Sequence, residues 1–404
     1  MAWQATASLC IALVLIVWCP VATHGFTVTT ECNKKWCQLP TTLSAHNGDD
    51  ENNDYNDSSP HLLSRRSSIT SSIAAASSYQ QSAIPASITI PLQYEPKLCA
   101  YTVSYVVGNT KFGAIVDTGS PFLVVPQTSC RPDYKWGCYR AEESHPSGLE
   151  PTYERFVGNE GMMEWREGRF SFPDAISTVT NFASIFPQSS SMVFGVVSES
   201  LLDGTGGLFL GLVKETNSWI RPSFLGQSDV RAFSVDLSDR QLNKSLTLYG
   251  GSGQQQDISI PSNAIKLVRD LNTRFGDATI HYVGVASSLN VNGFNLATSS
   301  RRSKIYVIFD TGCSGMSISA SLFNERYSIA RERRENNLWG NVEVQFDTVS
   351  GGVANLSAKN PITTTLDDRP WGKKLDGHLV VLGLAFLEGH EMTVDIDNAR
   401  IWFD

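Results

Sequence analysis

Hydrophobic positions from Ala86 onward fall into short runs, many alternating with polar residues, and glycine, proline and asparagine separate one run from the next. Examples are SITIPL, AYTVSYVV, FGAIVD, FLVVP, FSVDL, LTLYGG, HYVGVA and IYVIFD. Regular short runs with frequent turn residues are typical of β-strands. The pattern therefore predicts an all-β protein, in which residues 321–335 (SLFNERYSIARERRE) are the best candidate for a helix.

An internal repeat runs through this β-rich region. Residues 114–126 (AIVDTGSPFLVVP) have a counterpart in residues 307–319 (VIFDTGCSGMSIS). A later apolar segment with Leu-Gly-Leu follows each copy, at residues 207–213 (GLFLGLV) and 380–386 (VVLGLAF). Two units in the same order indicate two similar domains.

The repeat suggests where the domains divide. Asp117 and Asp310, the aspartates of the two Asp-Thr-Gly triplets, are far enough apart in sequence for each to belong to a modest domain of its own. We predict an N-terminal β lobe over residues 87–235 and a C-terminal β lobe over residues 236–404, each contributing one aspartate.

Two segments at the N-terminus depart from the strand pattern. An apolar run from Leu9 to Trp18, followed by Pro20 and small residues, predicts a signal peptide over residues 1–25. Residues 26–86 are rich in asparagine, aspartate and serine, and they hold too little apolar surface to offset the entropy of ordering them. We interpret them as a low-complexity propeptide or linker, in which the adjacent Arg65 and Arg66 are a candidate processing site.

Composition narrows the class of protein. The 404 residues are 41% hydrophobic and 18% charged, which is typical of globular proteins. A net charge of −8 argues against a nucleic-acid partner, which would require a basic face. No segment after residue 25 resembles a membrane span, so we expect a mature protein without one. We expect it to be a monomer of the secretory pathway with an extracellular or vacuolar/lysosomal destination.

Secretion would bring the cysteines into a compartment where disulfides form. Cys130 and Cys138 lie in a stretch with the residues of a loop, so a local bridge between them is sterically easy, and Cys32 and Cys37 are a second candidate pair. Sequons for N-glycosylation, consistent with the same compartment, begin at Asn56, Asn243 and Asn355.

The paired triplets carry the chemistry. An apolar strand ending in Asp-Thr-Gly holds a carboxylate at the end of a buried β segment, and glycine lets a substrate approach the backbone closely. If a pseudo-two-fold axis relates the lobes, Asp117 and Asp310 share one site, where two carboxylates cannot both ionise cheaply. One group then acts as a base and the other as an acid, and a water between them attacks a peptide carbonyl. This hydrolysis requires no metal and no cofactor.

From about Ile88 to its end, the chain resembles the pepsin-like aspartic proteases, whose paired aspartates are themselves the standard illustration of a shared proton. The resemblance implies a bilobal pepsin-like fold, with two pseudo-symmetric β lobes flanking a cleft for an extended peptide or protein substrate. It also implies acidic pH, a zymogen and a small disulfide loop at Cys130 and Cys138. Besides the triplets, it covers Ser120, Phe194, Gly195, residues 207–212, 233–237 and 246–251, and the closing VVLGLAFLEGHEMTVDIDNARIWF.

Carried over by position, the resemblance implies that Asp117 and Asp310 are the catalytic carboxyls. The glycines of the triplets resemble those beside the water, and the threonines resemble those that brace the two loops. The serine after the first triplet resembles one that hydrogen-bonds the first aspartate and helps to keep it ionised. These supporting residues are Thr118, Gly119, Ser120, Thr311, Gly312 and Cys313.

The sequence departs from the family at three positions. Cys313 stands where threonine or serine is usual, and a thiol is a weak hydrogen-bond donor, so we interpret it as a small buried hydrophobe rather than a redox group. The flap hairpin over the cleft has Val157 before Gly158 where the family has tyrosine. Tyr153 and Trp165 are candidates to replace that tyrosine, although either is equally consistent with packing in the core. Val124 likewise replaces the tryptophan that partners the flap tyrosine.

Two other functions fit parts of the sequence. A pepsin-fold protein that is catalytically weak or inactive and serves as an inhibitor or binding module would agree with the altered flap, but both aspartates are present. An actin-like or sugar-kinase ATPase also grips its phosphates with two aspartate-containing loops. That class needs helices alternating with strands, which the all-β pattern does not predict.

Overall fold

The computed structural model describes the chain in ranges between Ala86 and Asp404. They are residues 86–127, 136–156, 159–177, 185, 191–198, 208–215, 222–240, 243–250, 259–269, 281–300, 303–323, 339–366 and 376–404. Residues 1–85, which hold the predicted signal peptide and nearly all of the predicted propeptide, lie outside the described residues. Cys130 does too, so its pairing with Cys138 stays a prediction. Within these ranges, no helix has the length and hydropathy of a membrane span.

Strands dominate the described residues, which confirms the all-β class. They are β1 (Ala86–Pro91), β2 (Gln93–Glu95), β3 (Ala100–Val107), β4 (Thr110–Asp117), β5 (Val124–Gln127), β6 (His145–Pro146), β7 (Thr152–Phe156), β8 (Asn159–Gly168), β9 (Phe170–Ser171), β10 (Ile176–Ser177), β11 (Met192–Ser198), β12 (Phe209–Gly211), β13 (Val230–Asp236), β14 (Ser245–Gly250), β15 (Ile265–Val268), β16 (Val283–Val291), β17 (Phe294–Thr298), β18 (Lys304–Phe309), β19 (Met316–Ser319), β20 (Asn341–Asp347), β21 (Val353–Lys359), β22 (Thr363–Leu366), β23 (Gly377–Leu382), β24 (Glu391–Asp395) and β25 (Arg400–Phe403).

The helical elements among the described residues are short. The α-helix α1 spans Leu384–Leu387, and 3-10 turns span Ala141–Glu143 and Leu225–Gln227. In the helix candidate, residues 321–323 are helical and the rest lie outside the described residues. This arrangement lacks the helices alternating with strands that the ATPase alternative needs.

The described strands form three sheets. The largest has fifteen strands in the order β10–β1–β14–β13–β24–β25–β15–β16–β18–β23–β19–β22, with β17, β20 and β21 attached to it. Two sheets of five strands comprise β5–β11–β8–β6 with β7, and β12–β4–β3–β2 with β9. The predicted boundary between residues 235 and 236 falls inside β13, which pairs with both β14 and β24. Strands of both predicted halves therefore share the largest sheet.

The two copies of the sequence repeat fold alike. Strand β4 leads into the first triplet and runs parallel to β12, while β18 leads into the second and runs parallel to β23. In both copies the glycine of Leu-Gly-Leu donates its N–H to the carbonyl five positions after the aspartate. The two bonds are Gly211 to Phe122 and Gly383 to Gly315, each 2.8 Å long. The internal repeat in the sequence is thus a repeat in structure around each aspartate.

Buried side chains hold the strands that lead to the aspartates. Ile115 and Val116 before the first, and Val307 and Ile308 before the second, are at most 2% exposed. Full burial of such a side chain stabilises a fold by about 1.5–3 kcal/mol. A slip of one residue would turn every side chain of a strand to the other face of its sheet. The packing therefore fixes where each aspartate lies.

Candidate active site

The two predicted aspartates occupy equivalent, buried positions at strand ends. Asp117 is the last residue of β4 and is fully buried, and Asp310, which directly follows β18, is 1% exposed. Each carboxylate accepts a hydrogen bond from the N–H two residues later. Gly119 donates to Asp117 Oδ1 over 2.7 Å, and Gly312 donates to Asp310 Oδ1 over 2.8 Å. Both side chains are therefore folded back over their own loops.

Each carboxylate also lies against the glycine of the opposite loop. A Cβ built on Gly119 would stand 2.6 Å from Asp310 Oδ2, and one built on Gly312 would stand 2.7 Å from Asp117 Oδ1. Cβ atoms in proteins essentially never come within 3.0 Å of a heavy atom outside their own and the adjacent residues. The structure thus brings Asp117 and Asp310 together, and it does so in space that only glycine leaves open.

The two triplet threonines join the loops through four reciprocal hydrogen bonds. Thr118 Oγ1 donates to the carbonyl of Phe309 (2.8 Å) and accepts from the N–H of Thr311 (3.0 Å). Thr311 Oγ1 donates to the carbonyl of Val116 (2.7 Å) and accepts from the N–H of Thr118 (3.2 Å). Both side chains are buried. The four contacts tie the two loops to each other.

Burial and mutual charge dominate the electrostatics of the pair. Burial raises the pKa of Asp117, opposed by the Ser120 hydroxyl, the Gly119 N–H, a hydrogen bond with Asp310 and the nearby His281. The pKa of Asp310 is raised further, by burial, by the negative charge of Asp117 and by the same hydrogen bond. The pair therefore retains a proton at a pH where ordinary aspartates have lost theirs.

The residues after the two triplets differ in how they support the aspartates. Ser120 is fully buried beside Asp117 and lowers its pKa, although the two groups fall outside the geometric limits of a hydrogen bond. Cys313 donates its backbone N–H to the carbonyl of Asp310 (3.2 Å), and its side chain is buried in an apolar cluster with Val283 and Ile308. Burial raises the pKa of the Cys313 thiol, which disfavours the thiolate.

Strands β7 and β8 form the hairpin expected at the flap, with Phe156 opposite Asn159 nearest its turn. The turn residues Val157 and Gly158 lie outside the described residues. Of the two candidates to replace the flap tyrosine, Tyr153 is 52% exposed, whereas Trp165 is 3% exposed.

Trp165 connects the hairpin to the loop of the first aspartate. Its Nε1 donates to Thr152 Oγ1 over 3.0 Å, and its ring meets Phe122 edge to face with centroids 5.4 Å apart. Val124, where the resemblance implies a tryptophan, is fully buried, and its backbone carbonyl accepts a hydrogen bond from the Tyr105 hydroxyl. Trp165 is thus held in the core under the hairpin.

The structure adds residues that sequence reasoning missed. His281 and Tyr282 precede β16 and are 5% and 7% exposed. The Tyr282 hydroxyl donates to the carbonyl of Leu212 (2.7 Å) and accepts from the N–H of Lys214 (3.2 Å). Leu212 in turn donates its N–H to the carbonyl of Asp117 (2.8 Å). The run HYVGVA (residues 281–286) predicts a strand from the sequence. It does not show which strand pairs with it, so it could not place His281 and Tyr282 near the aspartates.

In comparisons with known proteins, no family model matches the chain, and no curated protein matches it. Among the described residues, no group of three or more histidine, cysteine, aspartate or glutamate side chains could hold a metal ion.

Proposed function

We propose that the chain is an aspartic endopeptidase with a bilobal pepsin-like fold, in which Asp117 and Asp310 activate a water for peptide-bond hydrolysis. One observation carries the proposal. Two Asp-Thr-Gly loops, far apart in sequence, interlock so that each carboxylate lies on the other loop's glycine. Their raised pKa values favour a singly ionised pair, which supplies a base and an acid at one place.

The proposed reaction returns both aspartates to their starting protonation states, with Asp310 protonated and Asp117 ionised. Asp310, whose pKa is raised further, carries the proton, and ionised Asp117 accepts a proton from water as the water oxygen bonds to the peptide carbonyl carbon. Asp310 donates its proton to the carbonyl oxygen, giving a tetrahedral diol. Asp117 then returns its proton to the leaving nitrogen, and one hydroxyl of the diol gives a proton back to Asp310. The C–N bond breaks to yield an acid and an amine.

The proposed substrate is an extended peptide or protein. The hairpin of β7 and β8, held by Trp165 against Phe122, would cover it as a flap. We also propose that the chain enters the secretory pathway, passes through a zymogen stage and binds its substrate as a monomer. The sequons at Asn243 and Asn355 are exposed, which suits glycosylation in that pathway.

The test is cleavage of a denatured general protein substrate by the secreted product between about pH 3 and pH 7, the range in which a carboxyl pair with raised pKa values changes its ionisation. We expect activity below neutral pH that a statine-type inhibitor such as pepstatin blocks. Asp117→Asn and Asp310→Asn should each lose at least about 10³-fold in kcat/KM, because neither retains both an acid and a base.

The matched control is Asp174→Asn, at an exposed aspartate paired with Lys111. It should cleave like the wild-type protein. Folded, processed wild-type protein that binds peptide without cleaving it would overturn the enzyme proposal and favour the inactive binding protein. Mass spectrometry of the secreted product reports the mature N-terminus, and so tests the predicted signal peptide and processing.

A further inference from the structure

His281 stands level with the second aspartate. Strand β16 runs antiparallel to β18 with Val283 opposite Ile308. The ladder continues one step, because the N–H of Phe309 donates to the carbonyl of Tyr282 over 3.3 Å. Extended by one more residue beyond this hydrogen bond, the same register sets His281 opposite Asp310. Side chains directly opposite in an antiparallel pair have Cβ atoms about 4.5–5.5 Å apart.

The alternation of faces turns His281 toward the pair of carboxylates. His281 lies on the same face as Val283, whose side chain packs in the cluster that contains Ile308 and Cys313. Tyr282, on the other face, reaches Leu212. His281 is 5% exposed, so solvent screens its interaction with the aspartates little. Independently of the register, an electrostatic contribution from His281 lowers the pKa of Asp117.

Among the residues that the structure describes, the ionisable groups around this site belong to three segments. The loop after β18 supplies Asp310 and the Cys313 thiol, and the loop after β4 supplies Asp117. The segment reached by Tyr282 holds Lys214, whose ammonium donates to the carbonyls of Ser228 and Val230, and Glu215, which is buried. The thiol stays neutral because burial raises its pKa. The two carboxylates are therefore the acidic groups that lie with His281 at this site.

We propose that His281 is a third ionisable group of this site, a positioning residue whose protonated imidazole holds the Asp117–Asp310 pair in its singly ionised form and so extends its action to lower pH. The inference rests on the proposed protease function for its meaning in catalysis. A cation beside the pair favours loss of its first proton, which allows one aspartate to remain a base in more acidic solution.

The experiment compares pH profiles of kcat/KM for wild-type protein, His281→Gln and His281→Phe. The first variant keeps polarity and the second keeps a ring, but neither can carry a charge. We expect the acidic limb of both variants to move to higher pH by about one pH unit, at the low end of what an opposite charge within 4–6 Å produces. The control, His145→Gln at an exposed histidine of β6, should leave the limb in place.

A second readout separates this inference from the protease proposal. Infrared difference spectra of wild-type protein against Asp117→Asn isolate the band of the protonated Asp117 carboxyl. This measurement does not require the protein to turn over a substrate. In both His281 variants this carboxyl band should persist to higher pH than in the wild-type protein. Variants that lose kcat, but whose acidic limb and carboxyl band coincide with wild type, would overturn the inference and leave His281 a packing residue. If the wild-type protein cleaves nothing, the protease proposal fails, and the band still decides the role of His281.

Discussion

At the residue scale, the distance between the two carboxylates depends on two glycines, whose lack of a side chain leaves room for the aspartates. At Gly119 and at Gly312, the carboxylate of the aspartate on the opposite loop occupies the space that a Cβ would need. A methyl group at either position would displace a carboxylate that is already held by a backbone N–H. Protein interiors are close-packed, so neighbouring side chains cannot absorb that displacement freely.

We therefore predict that Gly119→Ala impairs catalysis far more than folding. Its Cβ would stand 2.6 Å from Asp310 Oδ2 and push the carboxylate out of line with Asp117. A displacement of about 1 Å in a catalytic group costs about 10²-fold in rate, so kcat/KM should fall by at least that factor while the circular dichroism spectrum stays that of the wild type.

The control for this substitution is Gly352→Ala, where the nearest atom, Thr348 Oγ1, would lie 3.3 Å from the new Cβ. It should cleave substrate within about twofold of wild type, because a contact of that length is relieved by a few tenths of an ångström of movement. Wild-type activity in Gly119→Ala would contradict the proposed contact between the loops.

At the scale of elements, two threonines join strands from the two halves of the chain. Each hydroxyl both donates to and accepts from the opposite loop, so Thr118 serves backbone groups beside Asp310, and Thr311 serves those beside Asp117. All four bonds are buried. A buried backbone group that loses its partner costs about 1–3 kcal/mol.

We predict that Thr118→Val and Thr311→Val each lower the free energy of unfolding by at least about 2 kcal/mol, because each orphans an N–H and a carbonyl on the other loop. The double variant should lose less than the sum of the two, since both changes break one bonded unit. Urea unfolding of the four proteins measures this coupling.

A suitable control for the threonine series is Thr102→Val, whose hydroxyl makes an exposed hydrogen bond to the carbonyl of Gln93. It should cost less than about 1 kcal/mol, because water replaces the lost partner. Strictly additive losses in the Thr118 and Thr311 variants would mean that the two hydroxyls act independently and that the loops are not joined as one unit.

At the scale of the whole molecule, the sequence predicts what depends on local pattern. Apolar runs before both Asp-Thr-Gly triplets predict buried strands that end in carboxylates, and β4 and β18 have that form. What depends on strand register was not predictable. The run HYVGVA indicates a strand, but only its pairing with β18 brings His281 level with Asp310. The burial of Trp165 was not predictable for the same reason, because a tryptophan at that position is compatible both with a binding cleft and with the core.

Whole-molecule stability should depend on pH through the carboxyls that burial makes harder to ionise. Burial raises the pKa of Asp117, Asp310, Glu388 and Glu391. Each of these groups binds its proton more tightly when folded, so its stabilisation is complete below the ordinary carboxyl value near pH 4 and is lost as pH rises through the folded pKa. His390, whose pKa burial lowers, acts in the opposite sense below about pH 6.5.

Among the residues that the structure describes, these four carboxyls outnumber that histidine, so the free energy of unfolding should be higher near pH 4 than near pH 8, which urea unfolding across this range measures. Asp310→Asn isolates the largest contribution, because the amide cannot ionise and keeps nearly the shape of the protonated acid. Its stability should fall less between the two pH values than that of wild type, by about 1.4 kcal/mol for each pH unit by which folding raises the pKa of Asp310. Asp174→Asn, at an exposed side chain, should retain the wild-type slope. An Asp310→Asn protein whose slope equals that of wild type would mean that Asp310 ionises as easily in the folded chain as in the unfolded one, and that the two carboxylates do not share a proton.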